Sequence, residues 1–159
     1  MSKKQNDTIP AEKKTRILVV DDHPIVRDGL AQLINLEADL VVVARAGNAV
    51  EAMKAVKKQQ IDLAIIDMLF KNTTGIEVAK KIKAIYPNII VLIFSMSDEL
   101  QYVKRSFEVG ARGYITKDEI SEEIINAIRR ILKGQIYISS RLLKNFSKEE
   151  RDDLLVGRG

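Results

Sequence analysis

IDLAIIDMLFKNTTGIE runs from Ile61 to Glu77. Its apolar core, Leu63 to Ile66, is too short for an independent helix and is bounded by polar residues, which fits a strand buried on both faces. Asp67 ends the run. A buried strand that stops at a carboxylate places it on the carboxyl edge of a parallel sheet, where open α/β folds form their crevices. Asp67 is therefore the first candidate site residue. Beyond it, Gly75 precedes a helical stripe of Ile76, Ala79, Ile82 and Ile85, and Pro87 blocks its continuation.

The same unit recurs on either side. Ile17 to Val20 is a short apolar run stopped by Asp21 and Asp22, after which Pro24 opens a helix with Val26, Leu30, Leu33 and Ile34 on one stripe. Leu40 to Ala44 reads as a buried strand, and Asn48 caps a helix to about Lys57 carrying Val50, Met53 and Val56. Ile89 to Phe94 ends at Ser95, and a helix from about Asp98 to Val109 turns Leu100, Val103 and Phe107 inward before Gly110 stops it. Gly113 to Thr116 ends at Lys117. The last strong helix, about Glu119 to Lys133, has acids early and bases late, as the helix dipole prefers. Five strands alternating with five helices predict a parallel sheet between two helical layers, with right-handed crossovers. Strands one, three, four and five then deliver Asp21 with Asp22, Asp67, Ser95 and Lys117 to one edge.

Composition narrows the class. At 159 residues and 46% hydrophobic, the chain is one ordinary domain with tails. It has no apolar run near membrane-spanning length and no charged-then-apolar leader, so no membrane role is expected. The absence of Cys and the Lys/Glu-rich composition point, by elimination, to a cytoplasmic protein. Of the net charge of +4, residues 1–16 supply +3 (Lys3, Lys4, Lys13, Lys14 and Arg16 against Asp7 and Glu12), leaving +1 for the rest. Residues 1–15 are therefore read as a disordered basic tail, and the folded part carries no basic stripe for nucleic acid.

Three carboxylates at one edge repel one another, which either raises a pKa or calls for a cation. Oxygen ligands completed by water and phosphate suit Mg²⁺. A carboxylate facing a phosphoryl donor can act as a nucleophile, with Lys117 and the Ser95 hydroxyl suited to hold the developing charge.

The ordered set VVDDHP, IIDMLFKNTTG, FSMS and GYITKD resembles the receiver domain of bacterial response regulators over residues 16–138. DDHPIVRDGL and GARGYITKD are similar to the branch whose receiver precedes a LuxR-type helix-turn-helix. The resemblance implies a flavodoxin-like (βα)5 three-layer α/β sandwich with a five-stranded parallel sheet in the order 2-1-3-4-5. It implies that Asp67 is the phosphoacceptor, that Asp21 and Asp22 with Asp67 and the backbone carbonyl of Leu69 hold Mg²⁺, and that Ser95 and Lys117 take phosphoryl oxygens. Tyr114 would turn inward when Ser95 is recruited, and the output would be a shift in the surface of the fourth helix, fifth strand and fifth helix. The implied phosphodonor is a sensor histidine kinase or a small phosphodonor.

Two positions depart from the family pattern. Lys71 stands where many receivers have Pro, in a loop, FKNTTG, expected to be flexible and cationic and to alter phosphodonor access. Asp118 follows Lys117 where many have a cis Pro. A cis bond without Pro costs about 2.5–4 kcal/mol, so trans is expected. Other residues have plain readings. Asp21 and Asp22 double as capping residues, Ser95 competes with Ser97 for the strand end, and His23, the single histidine, is assigned no chemistry. Ile120, Ile124, Ile125, Ile128, Ile131 and Leu132 make a band wider than one stripe, readable as core or as a homodimer surface. Residues 135–139 resemble the extended segment that closes such receivers, and Arg141 to Phe146 is a candidate helix. Residues 139–159 as a whole are read as a linker toward an absent output domain, so DNA would be reached only through a domain missing from the chain. Competing readings are a Mg²⁺-dependent phosphohydrolase, disfavoured because the acids on strand one are adjacent, a flavin or nucleotide binder, disfavoured by the lack of a glycine-rich phosphate loop, and a stand-alone pseudo-receiver acting by protein binding.

Overall fold

The computed structural model describes residues 13–156. The strands are β1 (Thr15–Val20), β2 (Leu40–Ala46), β3 (Leu63–Asp67), β4 (Ile90–Ser95), β5 (Gly113–Thr116) and β6 (Tyr137–Ile138). The helices are α1 (Pro24–Asn35), α2 (Ala49–Lys58), α3 (Gly75–Ile85), α4 (Leu100–Glu108), α5 (Ile120–Leu132), α6 (Ser140–Lys144) and α7 (Lys148–Val156), with a 3-10 turn at Lys117–Glu119. Every strand pairing is parallel, in the order β2-β1-β3-β4-β5-β6. The five-strand order expected from the sequence is thus present, with β6 added at the edge: Tyr137–Ile138 pairs with Gly113 and Tyr114.

Strict alternation along the buried strands splits the core into two layers. Leu18, Val20, Ala64 and Ile66 face the side covered by α2, α3 and α4, with Ala52, Val56, Ile76, Ala79, Ile82, Val103 and Phe107. Ile17, Val19, Leu63 and Ile65 face the side covered by α1 and α5. On α5, Ile124, Ile128 and Ile131 are buried, while Ile120, Ile125 and Leu132 pack against the same cluster and stay partly exposed. Full burial of each such side chain contributes roughly 1.5–3 kcal/mol. The caps follow the sequence: Asn48 accepts from the Glu51 amide and Thr74 from that of Glu77.

Several expectations change. Val50 is 65% exposed, because the buried stripe of α2 runs through Ala52 and Val56 instead. Residues 1–12 of the basic tail lie outside the described residues, and Thr15 already belongs to β1. Within the segment expected to be a linker, α6 and α7 dock on the domain. Leu142, Phe146 and Leu154 are buried in the α2–α4 layer, and Lys104 on α4 pairs with Asp153 on α7 at 3.0 Å. The first of these helices is the one expected over Arg141 to Phe146, whereas the charged stretch after it gives too weak a pattern to reveal the second. No helix among the described residues is long and apolar enough to cross a membrane.

Candidate functional site

The site forms where strand ends meet. The register pairs Val20 with Ile66, Asp67 with Phe94 and Ser95 with Thr116, so Asp21 follows β1 directly beside the end of β3 and Lys117 follows β5 one step past Ser95. Asp21 and Asp67 are buried, and the Lys117 side chain reaches across β4 to both. Its Nζ lies 3.2 Å from Asp67 Oδ2 and 3.4 Å from Asp21 Oδ2, and 5.3 Å from the centre of the Phe94 ring beneath it. One cation thus faces two buried acids. Desolvation first and the Asp21 charge second push the Asp67 carboxyl above its ordinary range, against the pull of Lys117.

The acids are held by their own turn. Asp21 Oδ1 accepts from the His23 amide at 2.7 Å, an Asx turn that leads into Pro24 at the start of α1, and Arg27 donates to the Asp21 carbonyl at 2.7 Å. Among the described residues, two side-chain oxygens are buried without a hydrogen bond, Asp21 Oδ2 and Asp22 Oδ1. The former has Lys117 only at ion-pair range, and the latter has His23 Nδ1 at 3.0 Å without hydrogen-bond geometry. Orphaned carboxylate oxygens gathered at one strand edge are what a hard cation would satisfy, so Asp21, Asp22 and Asp67 fit a divalent ion such as Mg²⁺. The structure adds His23, which sequence reasoning set aside: donor atoms of Asp21, Asp22, His23 and Asp67 all lie within 4.8 Å of one another. The available signal was the Asp-Asp-His-Pro order, whose Asx turn folds the imidazole back over the acids.

The remaining predicted residues divide between this edge and the neighbouring core. Ser95, and not Ser97, ends β4, where it is buried and its Oγ accepts from the Ser97 amide at 2.9 Å. Tyr114 is fully buried, with its hydroxyl donating to the Ser97 carbonyl at 2.9 Å. Burial pushes its phenol up to about 12. Leu69 is exposed in the loop after β3, and its backbone hydrogen-bonds toward Asp67. Backbone bonds cross that loop. Phe70 N donates to Thr73 O, Leu69 bridges Thr74, and Gly75 N donates to Met68 O at 2.6 Å. Lys71 is exposed on it, lining a cleft of about 730 Å³ with Asp22, Val50, Lys54 and Phe70. No cis peptide occurs among the described residues, so Lys117–Asp118 is trans as expected.

Known proteins are similar to this chain in sequence and fold. The chain is similar to the oxygen regulatory protein NreC of Staphylococcus epidermidis, 32% identical over 135 residues, covering 84% of this chain and 62% of that protein. It is similar to the transcriptional regulatory protein YxjL of Bacillus subtilis, 34% identical over 122 residues, 77% of this chain and 56% of that protein. The chain thus spans about 60% of the length of such curated relatives. Among solved structures, a two-component response regulator of the LuxR family from Aurantimonas sp. SI85-9A1 superposes with a TM-score of 0.81 at 33% identity, covering 87% of this chain and 99% of that one. The family model of the response regulator receiver domain matches residues 17–129, from within β1 to within α5 and so across every strand end that builds the acidic edge; the protein belongs to the response regulator receiver family, in its LuxR-type branch.

Proposed function

We propose that the protein is a phosphorylation-controlled switch in which Asp67 accepts a phosphoryl group from a phosphohistidine of a sensor kinase, or from a small phosphodonor. The observation that carries this reading is the buried triangle of Asp67, Asp21 and Lys117 at one strand edge. An Asp67 carboxylate oxygen attacks phosphorus and the donor's P–N bond breaks. The electron pair leaves with the imidazole, and an acyl phosphate remains on Asp67. Asp21, Asp22, Asp67 and the Leu69 carbonyl would hold Mg²⁺, which when bound neutralises charge on the phosphoryl oxygens.

The other residues have roles in the same step. Lys117, already 3.2 Å from Asp67, follows the added charge onto a phosphoryl oxygen. The Ser95 hydroxyl accepts from the Ser97 amide and hydrogen-bonds the Tyr114 phenol, and its hydrogen would turn from Tyr114 to donate to the phosphoryl group. Movement of Ser95 is passed to Ser97 and so to Tyr114, whose hydroxyl holds the Ser97 carbonyl. That path alters the face made by α4, β5 and α5. Relatives named as transcriptional regulators extend beyond the matched length, which supports transcription, through a DNA-binding part outside these residues, as the output in the cytoplasm.

The test is incubation with Mg²⁺ and acetyl phosphate, followed by intact mass. Wild type is expected to gain one phosphoryl group and Asp67→Asn none. Modification that persists in the Asn variant would overturn the assignment.

A further inference from the structure

We infer that Arg141 is a positioning residue for phosphoryl transfer: from α6 it holds the turn that begins with Lys117, and so keeps the Lys117 ammonium aimed at Asp67. The inference rests on the proposed function for what Lys117 does in that step. It brings into the site a residue from the segment that follows the sheet.

The turn itself is weakly determined. Lys117–Glu119 is one 3-10 turn of sequence KDE, without a proline, and none of its three residues is buried. Hydrogen-bond geometry in so short a 3-10 segment is poor, so neighbouring groups must fix its direction. Thr116 gives the turn no side-chain cap, and its hydroxyl donates instead to Glu119 Oε1 at 2.8 Å. Polar side chains therefore do what the core does for the strands.

Arg141 is the cation in that network. Its Nη2 donates to Asp118 Oδ2 at 2.7 Å and its Nε to Glu119 Oε2 at 3.3 Å, so one planar guanidinium joins both carboxylates of the turn. An exposed ion pair alone contributes little, but a network with a fixed base holds a geometry. Here the base is β5. Ser139 donates its amide to the Tyr114 carbonyl and accepts from the Thr116 amide at 3.1 Å, and Leu142, beside Arg141, is 1% exposed in the core. The guanidinium is thus presented from the same strand that leads into Lys117.

Lys117 depends on this in two ways. Its Nζ reaches 3.2 Å from Asp67 Oδ2 and 3.4 Å from Asp21 Oδ2 at the end of a long flexible stem, so the direction in which the turn launches that stem sets where the charge arrives. A displacement of about 1 Å at a reacting group costs as much as about a hundredfold in rate. Asp118 and Glu119 are also carboxylates next to Lys117 in the chain, and they compete for its ammonium. With Arg141 on both, they have a cation of their own and Lys117 is left to Asp67 and Asp21.

The experiment measures, on the full chain, the initial rate of phosphoryl uptake from acetyl phosphate with Mg²⁺ by intact mass, in wild type, Arg141→Gln, Arg141→Lys, Lys117→Ala, and Lys117→Ala combined with Arg141→Gln. Arg141→Gln is expected to slow uptake about three- to tenfold, and Arg141→Lys to recover part of the loss. In the Lys117→Ala background the same Gln substitution should change the rate less than about twofold, because the residue through which Arg141 acts is gone. The unfolding midpoint of Arg141→Gln is expected to stay near that of wild type, since the ion pairs are exposed. The NMR signal of the Lys117 side-chain ammonium reads its positioning without any phosphodonor: it is expected to be sharp in wild type and broadened or lost in Arg141→Gln. The inference is overturned if Arg141→Gln leaves the rate or the ammonium signal as in wild type, or slows Lys117→Ala as much as it slows wild type. A wild type that takes up no phosphoryl group refutes the proposed function instead, and the ammonium signal then decides the inference by itself.

Discussion

Asp67 concentrates the conflict between folding and function in one residue. Its carboxyl is pushed above the ordinary range by burial and by Asp21, so the native state holds that proton more tightly than the unfolded chain does. Stability therefore falls as pH rises from the unfolded carboxylate value through the raised native one, and stays at the lower level above it. Asp67→Asn removes the charge and the penalty. Thermal unfolding should show the variant melting above wild type at neutral pH, with the gap closing in mildly acidic buffer; a gap independent of pH would contradict the electrostatic cause. Tyr114 is the complementary case. Its phenol, pushed up to about 12, remains a donor at working pH, and Tyr114→Phe leaves the Ser97 carbonyl without that bond. A loss of about 0.5–1.5 kcal/mol is expected in denaturant titration, with the ring's packing intact.

At the level of elements, the start of α3 presses on the end of β3. A Cβ added at Gly75 would sit 2.2 Å from the Asp67 carbonyl oxygen and 3.1 Å from Met68 Cα. Both are backbone atoms, so no side chain can swing away, and the short bond from Gly75 N to Met68 O would be forced open. Gly75→Ala is expected to cost about 1–3 kcal/mol and to slow phosphorylation of Asp67, measured by melting and by intact mass. An unperturbed rate would show that the helix and the nucleophile are independent. The helix termini, by contrast, obey local rules: Asn48 and Thr74 cap as their residue types predict. Of the expected stripe Val50, Met53 and Val56, only Val50 is misplaced: Met53 and Val56 pack on the core together with Ala52, a small residue that gives little apolar signal.

Over the whole molecule, the chain after β5 closes the sheet and then packs beside the face proposed to switch. Ser139 donates its amide to the Tyr114 carbonyl, and its hydroxyl accepts from Thr116 N. Arg141 pairs with Asp118 and Glu119, the residues that follow Lys117. Leu142→Ala tests whether this segment belongs to the cooperative fold. Its side chain is 1% exposed, so a loss of about 2–5 kcal/mol is expected in global unfolding. A change near zero would mean that the segment melts independently of the sheet.

The order of buried strands and amphipathic helices was determined by the sequence alone, because burial imposes periods that a linear reading detects. Asp67, Asp21, Asp22, Ser95 and Lys117 could be named for the same reason, since each interrupts or ends an apolar run. Tertiary structure decided the rest. It set the register that brings Lys117 within 3.4 Å of two acids, the turn that folds His23 over them, and the docking of Leu142, Phe146 and Leu154. These depend on distances between residues far apart in the chain, or on one backbone turn, and neither leaves a periodic trace in the sequence.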